Sequence, residues 1–170
     1  MDIAAHLDLS KTKRLEHPMP TFNHSLDIPA TPEQVFAAIS SPERLARWWG
    51  PAGFNNTFTT CEFISGGQWS FTMHGPDGQN YPNESVFTEI EEPGRVVIRH
   101  VNEPHFTLTV TLVPGASGTI LTWVQDFENA EFARRMEHIL RPSNEQNLDR
   151  LTAEVFRQSG GSPTGETKKA

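Results

Sequence analysis

Residues Ile28–Pro51, IPATPEQVFAAISSPERLARWWGP, decide how the rest of the chain is read. Thr31 stands where an N-cap belongs, Pro32 at the first helical position and Glu33 in the first turn, with Val35, Phe36 and Ile39 on one face. That predicts a short helix. Ser41-Pro42 repeats the device, so a second helical turn carries Leu45, Trp48 and Trp49 to the Gly50-Pro51 stop. Two of the four tryptophans therefore stand side by side at a breaker, where they either wall a cavity or cap the edge of a core.

Working outward, Phe22, His24, Leu26 and Ile28 alternate with Asn23, Ser25 and Asp27, the period of a half-buried strand. Beyond the Gly-Pro stop, strand-like pieces lie near 55–63, 67–74, 83–91, 95–102, 105–113 and 118–127. Turn residues separate them: SGGQ, GPDGQNYP, EEPGR, VNEPH and PGASG. Short turns in series favour an antiparallel meander, because parallel strands need long crossovers. The pattern then becomes helical, with Phe132, Met136, Ile139 and Leu140, and later Leu148, Leu151 and Val155 at helical spacing. Pro142 lies between these sets and predicts a short helix ending near Arg141 and a final one opening at Pro142–Ser143, with one kinked helix as the alternative.

The chain has 170 residues, a formal net charge of −7 and one cysteine, Cys61. A domain of this size buries roughly 70% of its extended surface, so it packs a core without staples. One cysteine excludes an internal disulfide framework and a multi-cysteine zinc site. The scattered charges form no basic cluster for a row of phosphates, so no nucleic-acid partner is expected. Without an apolar run of the ~20 residues that span a bilayer, and with no basic-then-apolar leader, the expectation is a cytoplasmic protein. We divide it into an N-terminal arm (1–19), one domain (20–157) and a flexible tail (158–170), whose SGGSPTGETKKA has nothing to bury.

A terminal amphipathic helix about 10 Å wide must cover the sheet's apolar face, and it is too narrow to fill the hollow of a twisted seven-strand sheet. Bulky side chains fill the remainder or a pocket remains. Strand parity points Trp69, Phe71 and Met73 inward, then Val96, Ile98 and His100, then Phe106, Leu108, Val110 and Leu112. On the last strand the set with the aromatics, Leu121, Trp123, Gln125 and Phe127, is assigned inward over Ile120, Thr122 and Val124.

The segments IPATPEQVFAAISSPERLARWWGP, GGQWSFTMHGPDGQNY, VFTEIEEPGRVVI, GTILTWVQDF and NLDRLTAEV together resemble the activator of heat-shock protein 90 ATPase homologue-like branch of the START-like (SRPBCC) superfamily, over about residues 20–156. The resemblance implies an α+β helix-grip fold: a curved seven-strand antiparallel sheet wrapped around a C-terminal helix, two short helices between strands 1 and 2, and an apolar cavity. Relatives in the superfamily include lipid and hormone carriers and polyketide cyclases.

The expected ligand-binding residues are therefore Trp49 at the turn, Trp69, Phe71 and Met73 on one strand, and Ile98 with His100 on another. Phe106, Leu108, Val110, Trp123 and Gln125 complete the sheet side, and Leu148 and Leu151 the helix side. The function expected is binding of a small hydrophobic molecule, aromatic or lipid-like. A cyclase- or hydrolase-like enzyme using His100 for proton transfer, and a chaperone cofactor, are the alternatives. No catalytic motif, metal site or cofactor is read. Cys61 lacks a basic neighbour in sequence, and a metal set from His74, His100 and His105 would need three different strand positions to converge. Tyr81 is read as closing a hairpin, and the Glu89 and Glu91–Glu92 carboxylates as a solvated strand end. A homodimer is compatible with this reading.

Overall fold

The computed structural model describes residues 21–160. Strand β1 (Thr21–Ile28) leads into helices α1 (Pro32–Ser40) and α2 (Pro42–Trp48), and six strands follow: β2 (Asn55–Cys61), β3 (Gly67–His74), β4 (Asn80–Glu91), β5 (Arg95–His100), β6 (Phe106–Gly115) and β7 (Gly118–Phe127). A single helix, α3 (Ala130–Gly160), ends the described chain. The arm expected over 1–19, and the tail beyond residue 160, lie outside the described residues.

All seven strands form one antiparallel sheet in the order β1-β7-β6-β5-β4-β3-β2. Strands β2 to β7 meander through short turns, and β1 pairs with the free side of β7. This is the α+β helix-grip architecture expected from the sequence.

The two small helices start as their residues dictate. Thr31 Oγ1 accepts from the Gln34 amide at 3.1 Å while Gln34 Oε1 accepts from the Thr31 amide at 2.8 Å, a reciprocal cap for α1. Ser41 caps α2, accepting from the Arg44 amide at 3.4 Å. Trp48 then turns into the core and donates from Nε1 to the Ala38 carbonyl at 2.9 Å, locking the second helix to the first.

The two-helix reading of residues 130–157 is corrected: one helix runs through Pro142. Proline removes the amide that would bond the His138 carbonyl. Both His138 and Pro142 are exposed, so water can take the place of that bond and the helix continues. Only the inner stripe of α3 is buried, and Leu148, Leu151 and Val155 join the main core with residues of α1, α2 and the sheet. Fully burying a side chain of this size contributes roughly 1.5–3 kcal/mol. A second apolar group, Phe22, Phe127 and Ala133, holds the start of α3 against the outer strands.

The parity assignment of the inner face agrees with burial: Trp69, Phe71, Ile98, Leu108, Val110, Leu121, Trp123 and Phe127 are all buried, as are the polar His100 and Gln125. Among the described residues, no helix is long and apolar enough to cross a membrane.

Candidate ligand-binding site

The register builds rows of side chains across the concave face. One row runs Trp69, Ser85, His100, Phe106 and Phe127, each opposite the next on the neighbouring strand. The next runs Phe87, Ile98, Leu108 and Gln125. Between these rows and α3 lies a cavity of about 570 Å³, within the range of pockets that take small molecules. Tyr81, Asn83, Glu103 and Pro104 rim it on the sheet side, and Leu140 and Ser143 on the helix side.

Of the residues expected to bind a ligand, Trp49, Phe71, Met73, Ile98, His100, Phe106, Leu108, Trp123 and Gln125 line this cavity. Trp69, Val110, Leu148 and Leu151 do not; they are packed in the adjoining core. Trp69 is fully enclosed, stacked 4.3 Å from Phe71 and 5.2 Å from Phe87. The tandem tryptophans divide their roles accordingly. Trp48 is a core residue, whereas Trp49 belongs to the wall, its ring 4.9 Å from Trp69 and 5.9 Å from Trp123.

The turn that presents Trp49 is held by polar groups of α3. Asn147 Oδ1 accepts from the Gly50 amide at 3.1 Å, and Gln146 Oε1 accepts from the Ala52 amide at 3.1 Å. Gly50 has φ near +100°, and a Cβ there would meet Met73 Cε at 2.9 Å, so only glycine fits the bend comfortably. Further along α3, Glu154 is 4% exposed and faces Arg44 at 3.1 Å and Arg47 at 2.9 Å, with Arg157 beside it at 3.0 Å. Burial alone would raise the Glu154 carboxyl, but hydrogen bonds from Arg47 and Arg44 outweigh it and hold the group below the ordinary carboxylate range.

His100 is engaged on both sides. Its Nδ1 lies 2.7 Å from the Pro104 carbonyl and its Nε2 lies 2.7 Å from Asn83 Oδ1, while the ring stacks on Phe106 at 4.7 Å. A neutral imidazole donates from one nitrogen only, so the two oxygens would favour the cation. Burial acts the other way and prevails, lowering the His100 pKa against the raising effect of the Pro104 carbonyl.

Several wall residues were not expected there from sequence: Asn83 and Ser85 on β4, Asn144 and Asn147 on α3, and Tyr81, which the sequence reading assigned only to closing a hairpin. Strand β4 begins at Asn80, three residues before the expected start, which makes Tyr81 a strand residue at the cavity rim as well as a neighbour of the hairpin turn. The signals were present. Asn144 and Asn147 share the helical spacing of Leu148, Leu151 and Val155, and polar side chains on an apolar stripe mark a special surface.

Cys61 is half-buried and burial pushes its thiol up to about 11, where it is no nucleophile. Glu89 pairs with Arg95 at 3.0 Å on the surface. Among the described residues no cluster of three His, Cys, Asp or Glu side chains could hold a metal ion.

A family model described as "Activator of Hsp90 ATPase homolog 1-like protein" matches residues 29–155. Among solved structures, a Nitrosomonas europaea protein aligns with TM-score 0.75 at 17% identity, covering 83% of this chain and 97% of that one. An Arthrobacter aurescens protein aligns with TM-score 0.74 at 26% identity, covering 83% and 88%. An AHSA1-like protein of Aeromonas hydrophila aligns with TM-score 0.66 at 18% identity, covering 86% and 99%. No curated protein matches the sequence.

Proposed function

Because the chain belongs to the activator of Hsp90 ATPase homolog 1-like family, whose fold is compatible with ligand-binding helix-grip proteins, we propose that it binds a small hydrophobic molecule, aromatic or lipid-like, in the cavity between sheet and α3. The carrying observation is the hollow itself: about 570 Å³ walled by aromatic and aliphatic side chains from the 49–54 turn, five strands and α3. The reading places the protein in the cytoplasm and makes residues 20–157 the functional unit. The enzymatic alternative draws no support from His100, both of whose nitrogens are engaged by protein groups. The chaperone alternative rests on the family's description alone; the exposed large apolar residues include Ile64 between β2 and β3, Val101 after β5 and Val113 on β6, and none of them lines the cavity.

The test is a thermal melt of the full chain with a library of uncharged aromatic and lipid-like compounds. A binder present at 100 times its Kd stabilises the fold by about 2.7 kcal/mol, a shift of several degrees. Leu108→Trp, which builds extra ring volume into the cavity, should keep the fold and abolish that shift. No stabilising compound across the library would count against the proposal.

A further inference from the structure

The polar side chains of the cavity wall divide into those fully engaged within the protein and those that keep a free group. His100 is held at both ring nitrogens, and Asn83 donates to the Tyr81 carbonyl at 2.9 Å while its Oδ1 meets the His100 ring. Asn102 accepts from the Glu84 amide at 3.0 Å and donates to the Pro82 carbonyl at 3.0 Å. These three residues have little left to offer a guest.

The side where β7 meets α3 differs. Asn144 Nδ2 donates to Gln125 Oε1 at 2.9 Å, and one such bond between two primary amides leaves an NH2 group on Gln125 and a carbonyl on Asn144. Three residues along α3, on the same helix face, Asn147 gives its Oδ1 to the Gly50 amide and keeps its NH2. All three residues line the cavity, and each is 7% exposed. Among the described residues, the enclosed side-chain atoms without a partner belong to His24, Asn56, Trp69, His105 and Trp123. Gln125 Nε2, Asn144 Oδ1 and Asn147 Nδ2 are not among them, so each keeps accessible surface while making no hydrogen bond to the described residues. Gln125 lies on the concave face of the sheet and its partner on the helix above, so that surface opens on the cavity between them.

Resting on the cavity reading, we infer that the occupant carries a neutral amide-type function, a C=O beside an N–H, which pairs with the joined amides of Gln125 and Asn144. Gln125 Nε2 donates to the ligand carbonyl, and Asn144 Oδ1 accepts from the ligand N–H. The apolar body then lies over Leu108, directly opposite Gln125 on β6, and Trp123, two residues along β7 on the same face. A carboxylate would meet the NH2 groups but also the Asn144 oxygen, and an ammonium would meet the reverse. No Lys, Arg or Asp lines the cavity, and its one carboxylate, Glu103, is exposed at the rim, so a charged group carried inside gains no counter-charge. Ser85 on β4 also makes no side-chain hydrogen bond to the described residues, but it stands three strands from β7, about 14 Å at the ~4.8 Å strand spacing, and a lone hydroxyl selects no function.

Three tricyclic probes of closely similar shape test this: phenanthrene, its lactam analogue phenanthridinone, and phenanthrene-9-carboxylate, titrated calorimetrically into the full chain. The lactam should bind about tenfold more tightly than phenanthrene, the net effect of hydrogen bonds to otherwise unmet groups. The carboxylate should bind more weakly than either. Gln125→Leu combined with Asn144→Leu replaces both members of a buried pair, which is gentler on the fold than removing one. That double variant should abolish the lactam's advantage and retain phenanthrene binding. A readout independent of the variant's folding is the nitrogen-15-resolved side-chain amide protons of Gln125 in the unmodified chain, which should move downfield with the lactam and not with phenanthrene. Equal affinity for phenanthrene and the lactam, a lactam advantage that survives the double variant, or tightest binding by the carboxylate overturns this inference and leaves the cavity reading standing. Failure of all three probes to bind removes the cavity reading and this inference with it.

Discussion

The guanidinium of Arg150, on α3, donates from Nη1 to the Gly50 carbonyl at 2.9 Å, directly behind the tryptophan pair. The same nitrogen reaches the Pro51 carbonyl at 2.8 Å and the Trp49 carbonyl at 3.3 Å, and Nη2 reaches those of Arg47 at 2.8 Å and Phe54 at 2.9 Å. One side chain thus gathers five carbonyls at the end of α2 and along the following bend, two of which, those of Trp49 and Pro51, also accept from Asn56 Nδ2 and the Phe54 amide.

Arg150→Ala should therefore lower stability by about 1.5–3 kcal/mol, the range for hydrogen bonds to charged groups. Arg150→Lys should recover only part of this, because an ammonium lacks the planar fork that spans several acceptors. Urea denaturation of the three proteins checks both statements. A lysine variant as stable as the parent would remove the geometric argument.

The second expectation concerns Glu154. Removing its carboxylate leaves Arg44, itself only 12% exposed, without its counter-charge and with the residue-154 backbone carbonyl at 3.2 Å as its remaining acceptor there. Glu154→Ala should cost about 3 kcal/mol, the low end for a broken buried ion pair because Arg47 and Arg157 reach solvent. The loss should be greater than for Glu137→Ala, whose 2.6 Å pair with Arg141 is exposed and worth at most about 0.5 kcal/mol. Equal losses would mean that burial does not set the strength of these pairs.

Acid should weaken the fold in two steps. Burial lowers the pKa of His24 and of His100 in the folded chain. Below about pH 6.5, the ordinary histidine value, the unfolded chain then binds more protons than the fold, and stability declines as pH falls. Glu154, held below the ordinary range, contributes fully above about pH 4.3 and loses its contribution as pH drops through its folded value. Thermal melts across this range should show both declines, and His100→Gln should reduce the upper one. A melting temperature that rises on acidification from neutrality would contradict the assignment.

Asn83→Asp should reverse the sign at His100. A carboxylate in place of the amide oxygen, 2.7 Å from Nε2, favours the imidazolium and should raise the pKa of the ring, against the lowering effect of burial. With the folded value above the unfolded one, the histidine's stabilising contribution is complete below the unfolded pKa and fades as pH rises through the folded pKa. Proton NMR titration of the imidazole gives the pKa directly, and an unchanged midpoint would show that burial alone governs this ring.

The fold was readable because its signals are local. Thr31-Pro32 and Ser41-Pro42 announce two helix starts, and the turn residues separate strands whose alternation carries the core. Pro142 misled because proline's cost depends on whether the freed carbonyl faces water, which sequence spacing does not reveal. At the site, strand parity found His100, Phe106, Trp123 and Gln125, but parity cannot separate a wall residue such as Phe71 from an enclosed neighbour such as Trp69. That distinction depends on how α3 lies over each strand. The clamp by Arg150, Asn147 and Gln146 joins residues about a hundred positions apart and could be seen only after folding.

All four tryptophans fall in one connected group, with Trp49 5.6 Å from Trp48, 4.9 Å from Trp69 and 5.9 Å from Trp123. At such spacings excitation passes readily from one indole to another, so light absorbed anywhere in the group is emitted by the lowest-energy member. Two of the four, Trp49 and Trp123, line the cavity, so a guest beside either would intercept excitation shared by the whole set. Binding of the proposed molecule should therefore change the intrinsic tryptophan emission, so occupancy can be tested without attaching a dye.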